Sequence, residues 1–523
     1  MVAHSPSPPR HRWWSLLVAS LATLIVTADS GQLSIALPLI VRELRADLTL
    51  ASWLALVYAL ITASLYLPCG RLSDLFGIGK LFLGGFLLYA TSSLAAALAQ
   101  SAGQLIFFRA LQAAGSALIM ANNFALITAL FPPEERGRAM GIAGGTVSAL
   151  GYTLGPVLGG LLTHSLGWRA NFYLSALLAL TGFGAARILL PAESFRASDD
   201  KKEPFDFTGA ATFATGISAF LFALTLAQKG RWLDPIVGVT ASAGAAALGF
   251  FIRWEKRAAF PLLDLKIFRI GAFTIGNTAR WFSFITMSVS NLLMPFFLQL
   301  AMGLDPLRAG FLVAPTPLAM ALLAPLTGWL SERFLPQLLC AVGLAVNGAA
   351  LLFLSFLVPG ARPLEVIFGL ALLGVGMGIF QTPNNNLLMS SVPRHRLGIG
   401  SSVLSIVRSL GYSIGATLAT SVVSFFLLAS AGASSLENLG AGSSAPALAA
   451  FLQGYRCAFW IAAAIALAGA VISLWPTRPA TLDSSERVVE ESVAGRKPIP
   501  GTLGARDGRS KATPLQQQRD EQR

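Results

Sequence analysis

Charge is what this sequence has least of. Asp, Glu, Lys and Arg together make up 12% of its 523 residues, about half of the roughly 25% found in soluble domains. Too few charges remain to cover a surface that meets water on every side. Extensive disorder is excluded as well, because disordered chains are polar and highly charged. Cysteine is nearly absent. Cys69, Cys340 and Cys457 are odd in number, far apart and without C-x-x-C spacing, which excludes a disulfide framework and a thiolate zinc site. His4, His11, His164 and His395 form no ligand pair either, so no metal is expected. No Walker A loop, HExxH, GxSxG or kinase motif set occurs, and nothing supports ATP use or covalent catalysis. The chain does not read as an enzyme, and no cofactor is expected.

What the sequence does have is apolar length. Residues of the AVILMFWYC class make up 54% of the chain, and the mean hydropathy is +0.65. A bilayer core of roughly 30 Å needs about 20 apolar residues per helix. That window gives fourteen candidate spans, starting near Trp14, Ala51, Leu81, Gln104, Ala139, Ala170, Phe207, Pro235, Gly271, Ala309, Gln337, Leu364, Gly398 and Tyr455. The first run, Trp14 to Val41, exceeds the roughly 7–15 apolar residues of a cleavable leader and reads as a retained helix. The expected class is an all-α polytopic protein of the plasma (cytoplasmic or inner) membrane, with the lipid bilayer as its surroundings.

The net charge of +13 is explained by the same topology rather than by nucleic acid. A nucleic-acid binder clusters its cations on one face of a folded domain; here they fall in short loops between apolar runs. With the N-terminus inside, inner loops and the N-terminal segment hold eighteen Lys and Arg. Outer loops hold seven: Arg42, Arg45, Arg169, Lys229, Arg231, Arg308 and Arg362. This asymmetry places the N-terminus in the cytoplasm, and the even number of spans places the C-terminus there too. Trp13, Trp14, Trp53, Trp168, Trp232, Trp329 and Trp475 fall near span ends, where interfacial anchors belong.

An internal repeat organises the chain. Ala36-Leu37-Pro38 recurs as Leu293-Met294-Pro295, an offset of 257. Gly70-Arg71-Leu72-Ser73-Asp74 recurs as Gly328-Trp329-Leu330-Ser331-Glu332, an offset of 258. Ala149-Leu150-Gly151-Tyr152 with Gly155 recurs as Ser409-Leu410-Gly411-Tyr412 with Gly415, an offset of 260. Three near-constant offsets in one order equate spans 1–6 with spans 9–14 and leave an inserted pair. The expected division is a cytoplasmic N-terminus (1–13), a six-helix bundle (14–190), an inserted two-helix segment with its loops (191–270), a second six-helix bundle (271–475) and a disordered cytoplasmic tail (476–523).

Four segments carry candidate chemistry. Of the acidic residues, only Asp29 falls deep inside a span, where a carboxyl away from water is either a proton-exchanging group or a structural hydrogen-bonding one. Arg109 also lies within a span; it is a functional residue by default or a cation that snorkels to the interface. At 1.5 Å rise per residue, Asp29 stands roughly 22 Å above Trp14 and Arg109 about 8 Å below Gln104 on a descending helix. The two are therefore expected to be partners in proton coupling. Gly70, Asp74 and Gly77 sit in a glycine-punctuated loop, Gly70 through Lys80, that permits a tight turn or is simply solvated. Gly151, Gly155 and Gly159 recur every four residues and line one helix face that another backbone can approach closely. Pro156 and Gly160 complete that motif.

These segments resemble the major facilitator superfamily, specifically its fourteen-helix drug/proton antiporters of the EmrB/QacA type, over about Trp14 to Trp475. Gly70–Lys80 is similar to G-x-L-x-D-R-x-G-R-[KR], with Leu75 and Ile78 in place of two cations. Arg109 to Gly115 is similar to R-x-x-Q-G-x-G, with Ala113 for the first glycine. Gly151 to Gly160 matches G-x-x-x-G-P-x-x-G-G in full. Thr27 to Pro38 is similar to L-D-x-T-[IV]-V-N-x-A-L-P, more divergent at Gln32 and Leu33. Phe260 to Leu265, Gly374 to Asn384, and Arg408 with Gly411 are softer matches.

The resemblance implies two pseudo-symmetric six-helix bundles around a central cavity, with Asp74 latching one half to the other. It implies a proton-coupled exporter of small amphipathic organic substrates, cationic or neutral, conferring drug or antibiotic resistance. Energy then comes from the proton gradient alone. Candidate cavity residues are Gln32, Gln112, Asn122, Asn123, Trp281, Gln381, Asn384, Asn385 and Tyr412, with Asn386 beside them; each has an equal alternative as a helix–helix bond or lipid contact. Two rival readings are an exporter dedicated to one metabolite (a siderophore, sugar or antibiotic) and a transport-dead membrane scaffold or receptor. A periplasmic adaptor and outer-membrane channel are left open as partners.

Overall fold

In the computed structural model the described residues are 9–44, 48–195, 204–228, 234–304, 306–431 and 445–475. The inner-loop residues 196–203 and the tail 476–523 of the sequence reading lie outside them, as does Trp232. Among the described residues, fourteen helices are long and apolar enough to cross a membrane, and each of the fourteen windows above falls on one of them. They are α1 (Pro9–Glu43), α2 (Leu48–Phe76), α3 (Ile78–Ala97), α4 (Ala102–Leu130), α5 (Pro133–Leu166), α6 (Arg169–Leu189) and α7 (Phe207–Gln228). There follow α8 (Pro235–Glu255), α9 (Gly271–Ala301), α10 (Pro306–Val313 continued by Pro315–Arg333), α11 (Pro336–Ser355), α12 (Pro363–Ser390), α13 (Leu397–Ala431) and α14 (Ala445–Ser473). The chain is a multi-pass membrane protein.

Helix ends follow local chemistry. α5 starts at Pro133, six residues before the apolar window at Ala139, because Pro133 suits the first turn and Glu134 and Glu135 follow it. Proline at the first position needs no N–H partner, and acids there complement the helix dipole. α10 is interrupted at Ala314, just before Pro315, whose ring and missing N–H break the ladder. Among the described residues, two helices carry π-helical turns, Gly141–Thr146 in α5 and Phe297–Ala301 in α9. Gly77 links α2 to α3 with φ of 101°, a backbone conformation that glycine adopts without steric penalty. Trp168 corrects one sequence expectation. It is fully buried and donates from Nε1 to Glu43 at 2.8 Å, with Arg169 stacked on its ring at 4.2 Å, so it is a packed core residue rather than an interfacial anchor.

Within the first half α1 packs on α5, α3 on α4 and α6, and α2 on α4; within the second, α11 packs on α12 and α14, α10 on α12, and α9 on α13. The halves meet where α13 lies against α2 and α4, and where α5 lies against α10. The inserted pair α7–α8 packs on itself, and α7 also rests against α2 and α13. Gln228 of α7 donates to Thr417 Oγ1 and the Ser413 carbonyl. The pair therefore touches both halves at one seam.

Candidate functional site

The first polar cluster lies inside the first half. Asp29 on α1 and Arg109 on α4 are 3% and 2% exposed, and Arg109 Nη1 stands 2.8 Å from Asp29 Oδ2. Gln112, one turn along α4, accepts from Arg109 at 2.6 Å and donates to Asp29 Oδ1 at 3.3 Å and to Ser93 Oγ at 2.8 Å. The Tyr58 ring of α2 covers the guanidinium at 4.4 Å. A buried charge of this kind persists only when paired and hydrogen-bonded. A small recess opens beside the pair, lined by Gln32, Asn171 and Ser175 with Leu33, Ala36 and Phe172. Ser93, Tyr58, Asn171 and Ser175 escaped sequence reasoning because small polar residues are common in membrane helices and nothing marked these few.

The glycine face of α5 grips α1 around that carboxylate. A Cβ on Gly151 would collide with the Thr27 side chain, one on Gly155 with the Ala28 backbone, and one on Gly159 would lie 2.6 Å from Gln32 Cα. From the other side, Gly31 has no room for a Cβ beside the Pro156 ring. Gly160 is half-buried next to this face. The motif thus holds the turn of α1 that carries Asp29. The repeat places an equivalent contact in the second half, where Gly411 and Gly415 of α13 meet Phe284 and Ile285 of α9.

The second polar site is a central cavity between the halves. Thr23, Met120, Asn123, Phe124, Gly144, Ser148 and Tyr152 line it from the first half; Arg280, Phe284, Met287, Met320, Gln381, Asn385, Ser405, Arg408 and Tyr412 line it from the second. Of the cavity residues expected from sequence, Asn123, Gln381, Asn385 and Tyr412 are here. Five are not among its lining residues, for reasons of packing. Gln112 belongs to the ion pair, and Gln32 accepts from Ser175 at 3.3 Å in the recess. Asn122 donates back to Leu118 of its own helix, and Asn384 ties α12 to the Gly276 carbonyl of α9 at 2.9 Å. Trp281 has a buried Nε1 and lies against Phe282. Asn386 also points elsewhere, donating to Ser331.

Arg280 went unnoticed in the sequence, and Arg408 was noticed only as part of a soft match. Arg280 stands alone within a long apolar helix, the same signal that drew attention to Arg109.

The third site joins the halves at one end. Asp74, at the end of α2, accepts from the Gly398 and Ile399 amides at 2.8 and 3.1 Å, which are the first turn of α13. Its repeat partner Glu332, at the end of α10, accepts from the Arg138 amide at 2.9 Å near the start of α5. Asp74 thus caps the first turn of α13, where exposed amides and the dipole favour an acid, whereas Glu332 bonds the second turn of α5, which starts at Pro133. Gly70 meets the Gly398 backbone, and Gly328 and Gly137 meet each other; no side chain fits between. Gly77 shapes the turn that follows. The sequence repeat pointed to Glu332, although only Asp74 was singled out. Asp264, in the loop before α9, pairs with Arg396 at 3.1 Å beside the same end.

Comparison with known proteins gives one consistent picture. A family model described as Major Facilitator Superfamily matches residues 19–416. The riboflavin transporter RibZ of Clostridioides difficile is 26% identical over 468 residues, covering 89% of this chain and 98% of its own. The tetracenomycin C resistance and export protein of Streptomyces glaucescens is 29% identical, covering 97% and 98%. The multidrug efflux pump LfrA of Mycolicibacterium smegmatis is 29% identical, covering 80% and 82%. Among solved structures, the human organic anion transporter MFSD10 matches with a TM-score of 0.62 at 15% identity, covering 89% of this chain and all of that one; it shares the fold.

Proposed function

Because the chain belongs to the major facilitator superfamily, a family of transporters rather than enzymes, we propose that it is a proton-driven exporter of small amphipathic organic compounds. The observation that carries this reading is the position of α1. Its Thr23 lines the central cavity, and six residues on its Asp29 holds Arg109, roughly 9 Å away at helical rise. The α5 glycine face grips α1 at Thr27, Ala28 and Gln32, while Ser148 and Tyr152 of α5 line the cavity. Protonating Asp29 weakens its hold on Arg109, and α1 and α5 transmit that change to the cavity wall. The polar recess of Gln32, Asn171 and Ser175 gives the proton its path. Cargo and proton then favour opposite conformations, which is the differential affinity any coupling requires.

The two acid–amide contacts serve as the latch. Asp74 and Glu332 hold the cytoplasmic ends of the halves together, and cargo loading from the cytosol requires their release. Each contact contributes about 1 kcal/mol, so the double variant Asp74→Asn, Glu332→Gln is expected to raise the open population about tenfold or more. A cysteine replacing the buried Ser402 beside Gly70 reads this out as faster thiol labelling. An unchanged labelling rate would remove the latch role.

Termini and the α8–α9 loop are assigned to the cytoplasm of a cell whose plasma membrane holds the protein. Ala259→Cys, in a background without the native cysteines, is expected to resist an impermeant maleimide in intact cells and react after permeabilisation. Reaction in intact cells would invert the topology.

The relatives support export of drugs and antibiotics, and the names of LfrA and of the tetracenomycin exporter speak for a broad and a narrow cargo range respectively. The name of the tetracenomycin exporter favours a second reading, an exporter dedicated to one metabolite, and that of RibZ names a single transported compound. A resistance profile separates them: loss of the protein sensitises cells to many unrelated compounds or to one. The central test is reconstituted protein under an imposed pH gradient, with substrate-dependent proton release as the expected result; no proton flux with any exported compound would overturn the coupling.

A further inference from the structure

The charge of the central cavity is unbalanced. Arg280 and Arg408 both line it, on α9 and α13. Guanidinium groups stay protonated in proteins. Among the described residues no carboxylate pairs with either one. Arg280 is 2% exposed and uses Nε on the Leu404 carbonyl at 3.1 Å and Nη1 on Asn385 Oδ1 at 2.5 Å, with the Phe284 ring at 4.9 Å. Those partners are neutral. Arg408 makes one long bond, to Tyr66 Oη at 3.4 Å. Arg109 shows the alternative, since it has Asp29 at 2.8 Å.

Two positive charges at the centre of a membrane protein, without a counter-charge among the described residues, are costly. The repeat shows that this charge is a property of the second half alone. At the aligned offsets, Thr23 occupies the position of Arg280 and Ser148 that of Arg408, and both are also cavity-lining. Symmetry of the fold therefore does not require the arginines.

We infer that the central cavity binds an organic anion, an amphipathic molecule whose carboxylate or similar acidic group lies between Arg280 and Arg408. Arginine recognises a carboxylate through paired N–H bonds, and the Arg280 and Arg408 groups face the same space. The body of the molecule meets Phe284 and Tyr412, whose rings are 5.5 Å apart, and Met287, Met320 and Phe124. This reverses the expectation of cationic or neutral cargo. It rests on the export reading and has an energetic consequence for it. Expelling a monoanion in exchange for one proton moves two charges in the same electrical sense, so each 100 mV contributes about 4.6 kcal/mol at 2.3 per charge. Exchange of a monocation for one proton moves none.

Two dyes of one ring system test the inference. Fluorescein carries a carboxylate, and a rhodamine ester carries a positive charge. Binding of each to the full-length protein in nanodiscs is read by fluorescence polarisation. Fluorescein is expected to bind at least about tenfold tighter than the ester. Arg280→Gln and Arg408→Gln should each weaken fluorescein binding about tenfold or more, with the ester unchanged or improved. Arg280→Lys keeps the charge and should keep the preference for fluorescein, which guards against a misfolded glutamine variant. Equal or tighter binding of the ester, or fluorescein binding that survives the double glutamine variant, would overturn the anion site. Cationic dye exported under a pH gradient with no fluorescein bound would leave the export reading standing and remove this one. Arginine-dependent fluorescein binding with no gradient-driven transport would do the reverse.

Discussion

Replacing Asp29 by Asn is expected to abolish gradient-driven export while leaving substrate binding largely intact. The amide keeps the shape of the carboxyl, and its oxygen can still accept from Arg109 Nη1, which now stands 2.8 Å from Oδ2. What it cannot do is take and release a proton. The expected loss is the whole accumulation that coupling provides, about fiftyfold for one charge moved through 100 mV at 2.3 kcal/mol. Downhill flux and dye binding should remain near wild type, because the central cavity is lined by other residues. Some loss of stability is also expected, since the buried Arg109 charge loses its counter-charge. Asp29→Glu should recover part of the coupling with an altered pH optimum. Uphill transport by the Asn variant at the wild-type level would place the proton site elsewhere.

Gly155→Leu is expected to remove transport without preventing insertion. Even the first carbon of a side chain at Gly155 would overlap the Ala28 backbone, and backbone cannot swing aside as a flexible side chain can. Overpacking of this kind costs typically about 1–3 kcal/mol, and here it is applied to the turn that carries Asp29. A drop in export of at least about tenfold is expected, since 1.4 kcal/mol is already a factor of ten. Gly155→Ala should show a smaller effect in the same direction. Insertion should be unaffected, because the leucine raises the hydrophobicity of the span. Gly184→Leu on α6 is the control: nothing lies within 4 Å of a Cβ there, so transport should persist. Wild-type export by Gly155→Leu would reduce the glycine face to packing without consequence.

Individual residues show how far the sequence could be read. Asp29 and Arg109 were legible as partners because each is a charge inside an apolar span and helical rise gives their depths. Asp74 was legible from its glycine-rich loop, and Glu332 was available from the repeat. Gln32 and Gln112, expected as cavity residues, lie at the recess and the ion pair instead of in the central-cavity lining. Helical position gives depth but not rotation, and rotation decides whether a glutamine faces the ion pair or the central cavity. Asn122 and Asn384 show the same gap, since an amide inside a helix satisfies itself on whichever carbonyl is nearest. Trp168 sat at a span end, but packing against Glu43 and Phe172 drew it inside.

The sequence by itself determined the fourteen spans, because a segment that crosses hydrocarbon must be apolar over a length set by the bilayer. It also determined the duplication, which equal offsets expose without any coordinates. The tertiary structure alone decided which polar groups meet. Gln112 completes the Asp29–Arg109 pair, α5 closes on Ala28, and Arg280 shares a cavity with Arg408 although 128 residues separate them in the chain. Those choices depend on side-chain fit between helices far apart in sequence, where close packing and hydrogen bonding, rather than hydrophobicity, select the partner.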